Sequence, residues 1–217
     1  SSPLKPRALF VGPPDGTNNA TTPPIEATTT ASDPAGFGFE IELTGSYFSR
    51  GYLKVEGGKA GGSIAIDAGG DVTIHAAADG IRASGTGPDS AGGDVVIRSG
   101  GNVVLNGNLR ADSGSQGSGL GGRIAVDAMG DITATMSGAR ITANGRALSE
   151  EIGGGGQIRL SAGGALVLRR VLSAEGGAPP GDGGEIHLEG TSVAIDKDSY
   201  LSSAIAISVR GGVGSQG

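Results

Sequence analysis

The stretch Gly61–Ile74, GGSIAIDAGGDVTI, decides the fold, because the chain writes it repeatedly. It returns as GGDVVIRSGGNVVL from Gly92, GGRIAVDAMGDITA from Gly121 and GGQIRLSAGGALVL from Gly155. A worn copy, GGEIHLEGTSVAI, starts at Gly183. Self-similarity at a period of 28–34 residues marks a solenoid, in which each repeat buries its apolar face only against its neighbours.

Inside each repeat the apolar residues alternate over four or five positions, too short a run for a helix. In the Gly61 coil, Ile64/Ile66, Val72/Ile74 and Ile81/Ala83 point inward on three successive strands. The next coil offers Val95/Ile97, Val103/Leu105 and Leu109/Ala111. Ile124/Val126, Ile132/Ala134 and Ile141/Ala143 follow, then Ile158/Leu160, Leu166/Leu168 and Leu172/Ala174. A degenerate first coil, GFEIELTG and YLKVEGG, precedes them. Three strands per turn stacked in parallel predict an all-β chain, a right-handed parallel β-helix (solenoid) of about six coils. Coils about 4.8 Å apart make a rod on the order of 30 Å long.

The turns set the lengths. The first is constant, the second alternates between long and short, and the third is longest and most variable (GTGPDSAGG, SGSQGSGLGG, NGRALSEEIGGGG, EGGAPPGDGG). Variable turns on one edge of a repeat array are where binding is expected. The glycines at the corners are expected to supply positive φ. Residues 1–36 carry no repeat and are rich in Pro and Thr, so they read as an extended arm or linker. Their segment LKPRALFVG could dock on the solenoid as a strand. Residues 37–217 form the β-helix, expected to be open at its C-terminal end. Asn19-Ala20-Thr21 matches a glycosylation sequon, a three-residue pattern of low specificity. A start at Ser1 rather than Met leads us to expect a preceding segment, a cleaved signal peptide being one form of it.

Of 217 residues 44 are Gly and only 3% are aromatic, so the core must be thin and built from small contacts. A net charge of −6 argues against nucleic acid and anionic lipid as partners. No apolar run is long enough to span a membrane, so insertion is not expected. Without Cys no disulfide can form.

Stacking places equivalent outward residues in columns. Asp67, Arg98, Asp127, Ser161 and Glu189 form one, either a charge ladder or a carboxylate pair for glycan hydrolysis. Asp67 and Asp127 lie two coils apart, near 9.6 Å, slightly beyond the usual spacing of inverting glycosidases. Asp71, Asn102 and Asp131 form a second column, read as calcium ligands or as turn residues that bond their own backbone. Lys54, Arg82 and Arg110 form a basic stripe that could contact glycan, beside the column Glu56, Ser84, Asp112, Asn144 and Glu175. His75 and His187 sit on distant coils and make no metal pair. Tyr47, Phe48 and Tyr52 are expected to cap the open core, while Tyr200 is a further sugar-stacking candidate.

The phrase GGxIxIxAxGDVxI resembles the repeats of filamentous-haemagglutinin-like bacterial surface proteins and related Gly-rich β-helical passengers, over residues 61 to about 210. The resemblance implies an exported, adhesin-like or matrix-like rod, extracellular or on the bacterial cell surface. The first expectation for function is therefore a non-enzymatic structural or adhesin-like rod with no catalytic residue and no cofactor. Its partners would be a cell-surface glycan or protein receptor, or copies of itself end to end. A polysaccharide-binding or polysaccharide-degrading β-helix and a self-assembling filament subunit are the alternatives.

Overall fold

The computed structural model describes residues 8–11, 25–28, 38–75, 80–115, 118–135, 139–146, 153–177, 181–196 and 207–210. Among them every regular element is a β-strand. β1 (Ala8–Val11) and β2 (Ile25–Thr28) come first, followed by β3 (Gly38–Leu43), β4 (Ser46–Ser49) and β5 (Leu53–Glu56). The Gly61 coil holds β6 (Ser63–Ala68), β7 (Val72–Ile74) and β8 (Ile81–Arg82). Next come β9 (Asp94–Ser99), β10 (Val103–Leu105) and β11 (Leu109–Arg110). The Gly121 coil supplies β12 (Arg123–Ala128), β13 (Ile132–Ala134) and β14 (Arg140–Thr142). β15 (Gln157–Ala162), β16 (Ala165–Leu168) and β17 (Val171–Ser173) precede the last set, β18 (Glu185–Glu189), β19 (Ser192–Ile195) and β20 (Ile207–Ser208).

Every third strand joins the same sheet, and all pairings between these strands are parallel. Sheet A runs β1-β4-β7-β10-β13-β16-β19, sheet B runs β2-β5-β8-β11-β14-β17-β20, and sheet C runs β3-β6-β9-β12-β15-β18. The chain is a three-sided parallel β-solenoid. β1, within LKPRALFVG, lies against β4 with Leu9 beside Tyr47. β2 lies against β5 with Ile25 beside Leu53. The Pro/Thr-rich segment thus contributes one strand each to sheets A and B. The sequon Asn19-Ala20-Thr21, Tyr200 and residues 211–217 lie outside the described residues.

The register aligns the inward residues foreseen from the alternation. Ile64, Val95, Ile124 and Ile158 stack in sheet C, Val72, Val103, Ile132 and Leu166 in sheet A, and Ile81, Leu109, Ile141 and Leu172 in sheet B. All are at most 1% exposed. Each contributes roughly 1.5–3 kcal/mol relative to exposure. The first strand of each coil buries a third residue that the alternation had not been followed far enough to reach: Ala68, Ser99, Ala128 or Ala162. Leu43 fills the same column on β3. In the last described coil the same columns open: Ile186 and Leu188 are half-buried, and Val193 and Ile195 are exposed.

The double glycine differs from expectation. Among the described residues the only glycine at positive φ is Gly80, at 47°. The paired glycines are instead required by close approach. A Cβ on Gly122 would fall within 3.0 Å of the Gly93 carbonyl, and one on Gly156 would meet Gly122 in the same way. A Cβ on Gly121 or Gly155 would strike the carbonyl of Ala143 or Ala174. The backbone uses that proximity. Gly122 N donates to Ala111 O at 2.7 Å, closing the third turn of its coil. Arg123 N donates to Gly93 O at 2.9 Å, tying the corner to the coil before. Gly122→Ala should therefore destabilise the chain by more than about 2 kcal/mol in chemical denaturation. Gly154→Ala is the control, since its Cβ would meet nothing closer than Leu120 at 3.4 Å. It should stay within about 0.5 kcal/mol of wild type.

Tyr47 is not an end cap. It is 1% exposed and stands in the sheet A core column beside Val72. Phe48 faces outward, with the Arg50 guanidinium 5.5 Å from its ring centre. Burial pushes the Tyr47 phenol up to about 12, and a poorly aligned contact with Ser49 opposes this slightly. The folded pKa exceeds the unfolded value of 10.0, so this stabilisation is intact below pH 10 and is lost as pH rises towards 12. Unfolding titrations should show about 2–3 kcal/mol lost across that window, and Tyr47→Phe should remove that part of the pH dependence.

Candidate functional site

Polar side chains sort into those the solenoid uses and those it leaves over. At the first corner, Asp71, Asn102 and Asp131 stack one above another as anticipated. They do not bond their own backbone. Each reaches the next coil: Asp71 Oδ1 accepts from Asn102 N at 2.7 Å, Asn102 Oδ1 from Asp131 N at 2.9 Å, and Asp131 Oδ1 from Ala165 N at 2.7 Å. Ser46 Oγ begins the series by accepting from Asp71 N at 3.1 Å. Ala165 ends it, having no side-chain acceptor to pass on. One oxygen of each supposed calcium ligand is thereby occupied. Among the described residues no group of three or more His, Cys, Asp or Glu is placed to hold a metal ion.

A second ladder runs where the third turn begins. Ser84 Oγ accepts from Asp112 N at 3.3 Å, Asp112 Oδ1 from Asn144 N at 2.8 Å, and Asn144 Oδ1 from Glu175 N at 2.8 Å. Thr142 and Ser173 donate their hydroxyls to Asp112 and Asn144 at 2.8 and 2.7 Å. Ser208 donates its hydroxyl to Glu175. At the second corner Asn108 Oδ1 accepts from Arg140 N at 2.7 Å. At each corner a backbone donor is thus met by a side chain of the preceding coil, alongside those met by backbone carbonyls.

The third turns, the edge where binding is expected, are bonded to one another. They stack coil on coil: Thr86 N donates to Gly57 O at 3.0 Å, Ala91 N to Lys59 O at 3.0 Å and Gly114 N to Ser90 O at 2.9 Å. Gly119 and Arg146 exchange a reciprocal pair at 2.7 and 2.8 Å. Ser84 and Ser90 are buried in this stack.

The basic stripe is real but largely engaged. Lys54, Arg82 and Arg110 align across β5, β8 and β11. Glu56, only 6% exposed, takes Lys54 Nζ at 3.0 Å and Arg82 Nε at 2.7 Å. The Arg82 contact lies off the N–H direction, so it acts as an ion pair rather than an aligned hydrogen bond. Arg110 pairs with no acid among the described residues.

Sheet C differs. Asp67, Arg98, Asp127, Ser161 and Glu189 occupy one register row of its outer face. Glu189 is engaged, accepting from Ser161 Oγ at 3.2 Å and lying 3.9 Å from Arg159 and 3.8 Å from His187. The side chains of Asp67, Arg98 and Asp127 take part in no hydrogen bond or ion pair among the described residues. They border a shallow depression of about 410 Å³ with Ser161, Gly69, Gly100 and Met129. A neighbouring depression of about 420 Å³ is lined by Arg123, Gln157, Arg159, Glu185 and His187. His75 is remote, its Nδ1 3.4 Å from the Asn106 amide nitrogen.

Two residues escaped the sequence reading. Met129 is 78% exposed and stands where the neighbouring coils carry Gly69, Gly100 and Gly163. The break was visible in AMGD against AGGD. Arg170 is 1% exposed and spans two coils, its guanidinium donating to Gly107 O at 2.8 Å. No sequence signal distinguished it from its exposed neighbour Arg169.

No protein-family model, curated protein or solved structure matches the chain. Among the described residues no helix is long and apolar enough to cross a membrane. The ladder gives a direct test of how the corners are held. Asn102→Ala removes the acceptor for Asp131 N and should cost on the order of 1 kcal/mol, while Asn102→Asp keeps the acceptor and most of the stability, both read by thermal unfolding.

Proposed function

We propose that the chain is a non-enzymatic structural or adhesin-like rod, working outside the cell or on a bacterial surface. One observation carries this most directly: the acidic and amide side chains at the corners, which could otherwise do chemistry, are committed to coil-to-coil hydrogen bonds. Asp71, Asn102, Asp131, Asp112, Asn144 and Glu175 all serve the stack. The resemblance of the GG phrase to filamentous-haemagglutinin-like repeats supports an exported location. An acidic surface makes nucleic acid a poor partner.

Polysaccharide binding is the second reading, favoured by the depression on sheet C bordered by the unpaired Asp67, Arg98 and Asp127. Degradation is less well supported, because Arg98 stands between Asp67 and Asp127 in the register. Stacking of copies end to end remains a third proposal, favoured by the exposed Val193 and Ile195 columns.

The rod reading predicts an elongated particle in small-angle X-ray scattering and no release of reducing ends or unsaturated sugars from a panel of polysaccharides. Turnover by the pure protein, abolished by Asp67→Asn or Asp127→Asn, would overturn it.

A further inference from the structure

The geometry points to the outer face of sheet C, and not to the basic stripe of sheet B, as a binding site for an uncharged linear glycan. The occupant would lie along the rod across Asp67, Arg98, Asp127 and Ser161, with Met129 against a sugar ring. The inference rests on the chain being a rod that binds without turning its ligand over.

The first ground is what the fold leaves over. Corner acids and amides are held in ladders, and Glu56 holds Lys54 and Arg82. Asp67, Arg98 and Asp127 have no such partner among the described residues, although they sit side by side in register. Charged groups of this kind stay hydrated until a ligand replaces the water.

The second ground is the order of chemistry along the row. Asp67 accepts only, Arg98 donates only, Asp127 accepts only, and Ser161, whose proton goes to Glu189, accepts. Successive positions are one strand spacing apart, about 4.8 Å. A polyhydroxylated chain laid across the strands can donate hydroxyls to each carboxylate and accept from the guanidinium between them. Hydrogen bonds to charged groups are the stronger kind. A site built to bond hydroxyls also rejects ligands lacking them.

The third ground is Met129. Its row is otherwise glycine in the neighbouring coils, so its 78% exposed side chain is not required by the stack. It borders the depression and offers a flexible, polarisable apolar contact where the aromatic residues usual for sugars are lacking.

Charge selects the glycan class. Two carboxylates flank one guanidinium, and the whole chain carries −6, so a uronate or sulfated polymer would be repelled. An extended peptide lacks the closely spaced hydroxyls that this row can satisfy.

The test is an amide NMR titration of the 217-residue chain with cellohexaose, xylohexaose and chitohexaose, and with hexagalacturonate as the charged comparison. At least one neutral hexamer should shift amides of residues 67–70, 98–101 and 127–130, with hexagalacturonate at least about tenfold weaker. Met129→Gly restores the residue of its row, so it should leave thermal unfolding unchanged yet weaken binding by about fivefold or more. Arg98→Ala should weaken it likewise, and Arg110→Ala should not. No shift with any neutral hexamer up to about 10 mM overturns the inference. So do shifts centred on Lys54, Arg82 and Arg110, and so does unchanged affinity in Met129→Gly. Assaying the same mixtures for new reducing ends keeps the outcomes apart. Turnover would defeat the rod reading, whereas absent binding would defeat only the site on sheet C.

Discussion

The close approach of backbones at the double-glycine corner is the constraint on which the rest of the structure depends. There the third turn closes, the next coil begins, and the corner of the preceding coil lies directly against it. A Cβ at Gly93, Gly122, Gly156 or Gly184 would collide with a carbonyl of the corner before. Because that contact recurs, successive coils keep one register, and every later interaction inherits it. The apolar columns, the parallel sheets and the polar ladders all need equivalent residues to fall above one another.

Register turns modest interactions into a sum. A single buried Ile or Val contributes roughly 1.5–3 kcal/mol, but the columns repeat it on three faces of every coil. The ladders extend the same logic to polar groups. A corner leaves backbone N–H groups that no sheet can satisfy, and in a thin solenoid there is little else to meet them. Asp, Asn and Ser of one coil supply the acceptors for the next. Where the series meets Ala165 it stops, because alanine has no side-chain acceptor to offer the following coil. Stacking also makes the third turns part of the wall, so their Gly content reflects packing more than mobility.

This economy bears on function. A solenoid that assigns its corner polar groups to itself keeps sheet faces, rather than corners, as surface for a partner. Sheets A and B present mostly short strands between corners. Sheet C has the longest strands and the unpaired row Asp67, Arg98 and Asp127. In the proposed reading, a few residues standing off a regular surface supply the specificity for glycan. Met129 is one of them.

The sequence by itself determined the period, the three strands per coil and nearly all the inward residues, because alternation and repetition are local patterns tied to one buried face. It also placed Asp67, Arg98 and Asp127 in one row, and Asp71, Asn102 and Asp131 in another. What it could not determine was which partner each side chain takes, since those partners lie about thirty residues away and meet only through stacking. The role of the paired glycines shows this most directly. Residue type permits either positive φ or close approach, and only the neighbouring coil, brought within contact distance, decides for the second. Arg170, indistinguishable in sequence from Arg169, is buried for the same reason: tertiary stacking sets a Gly107 carbonyl within its reach.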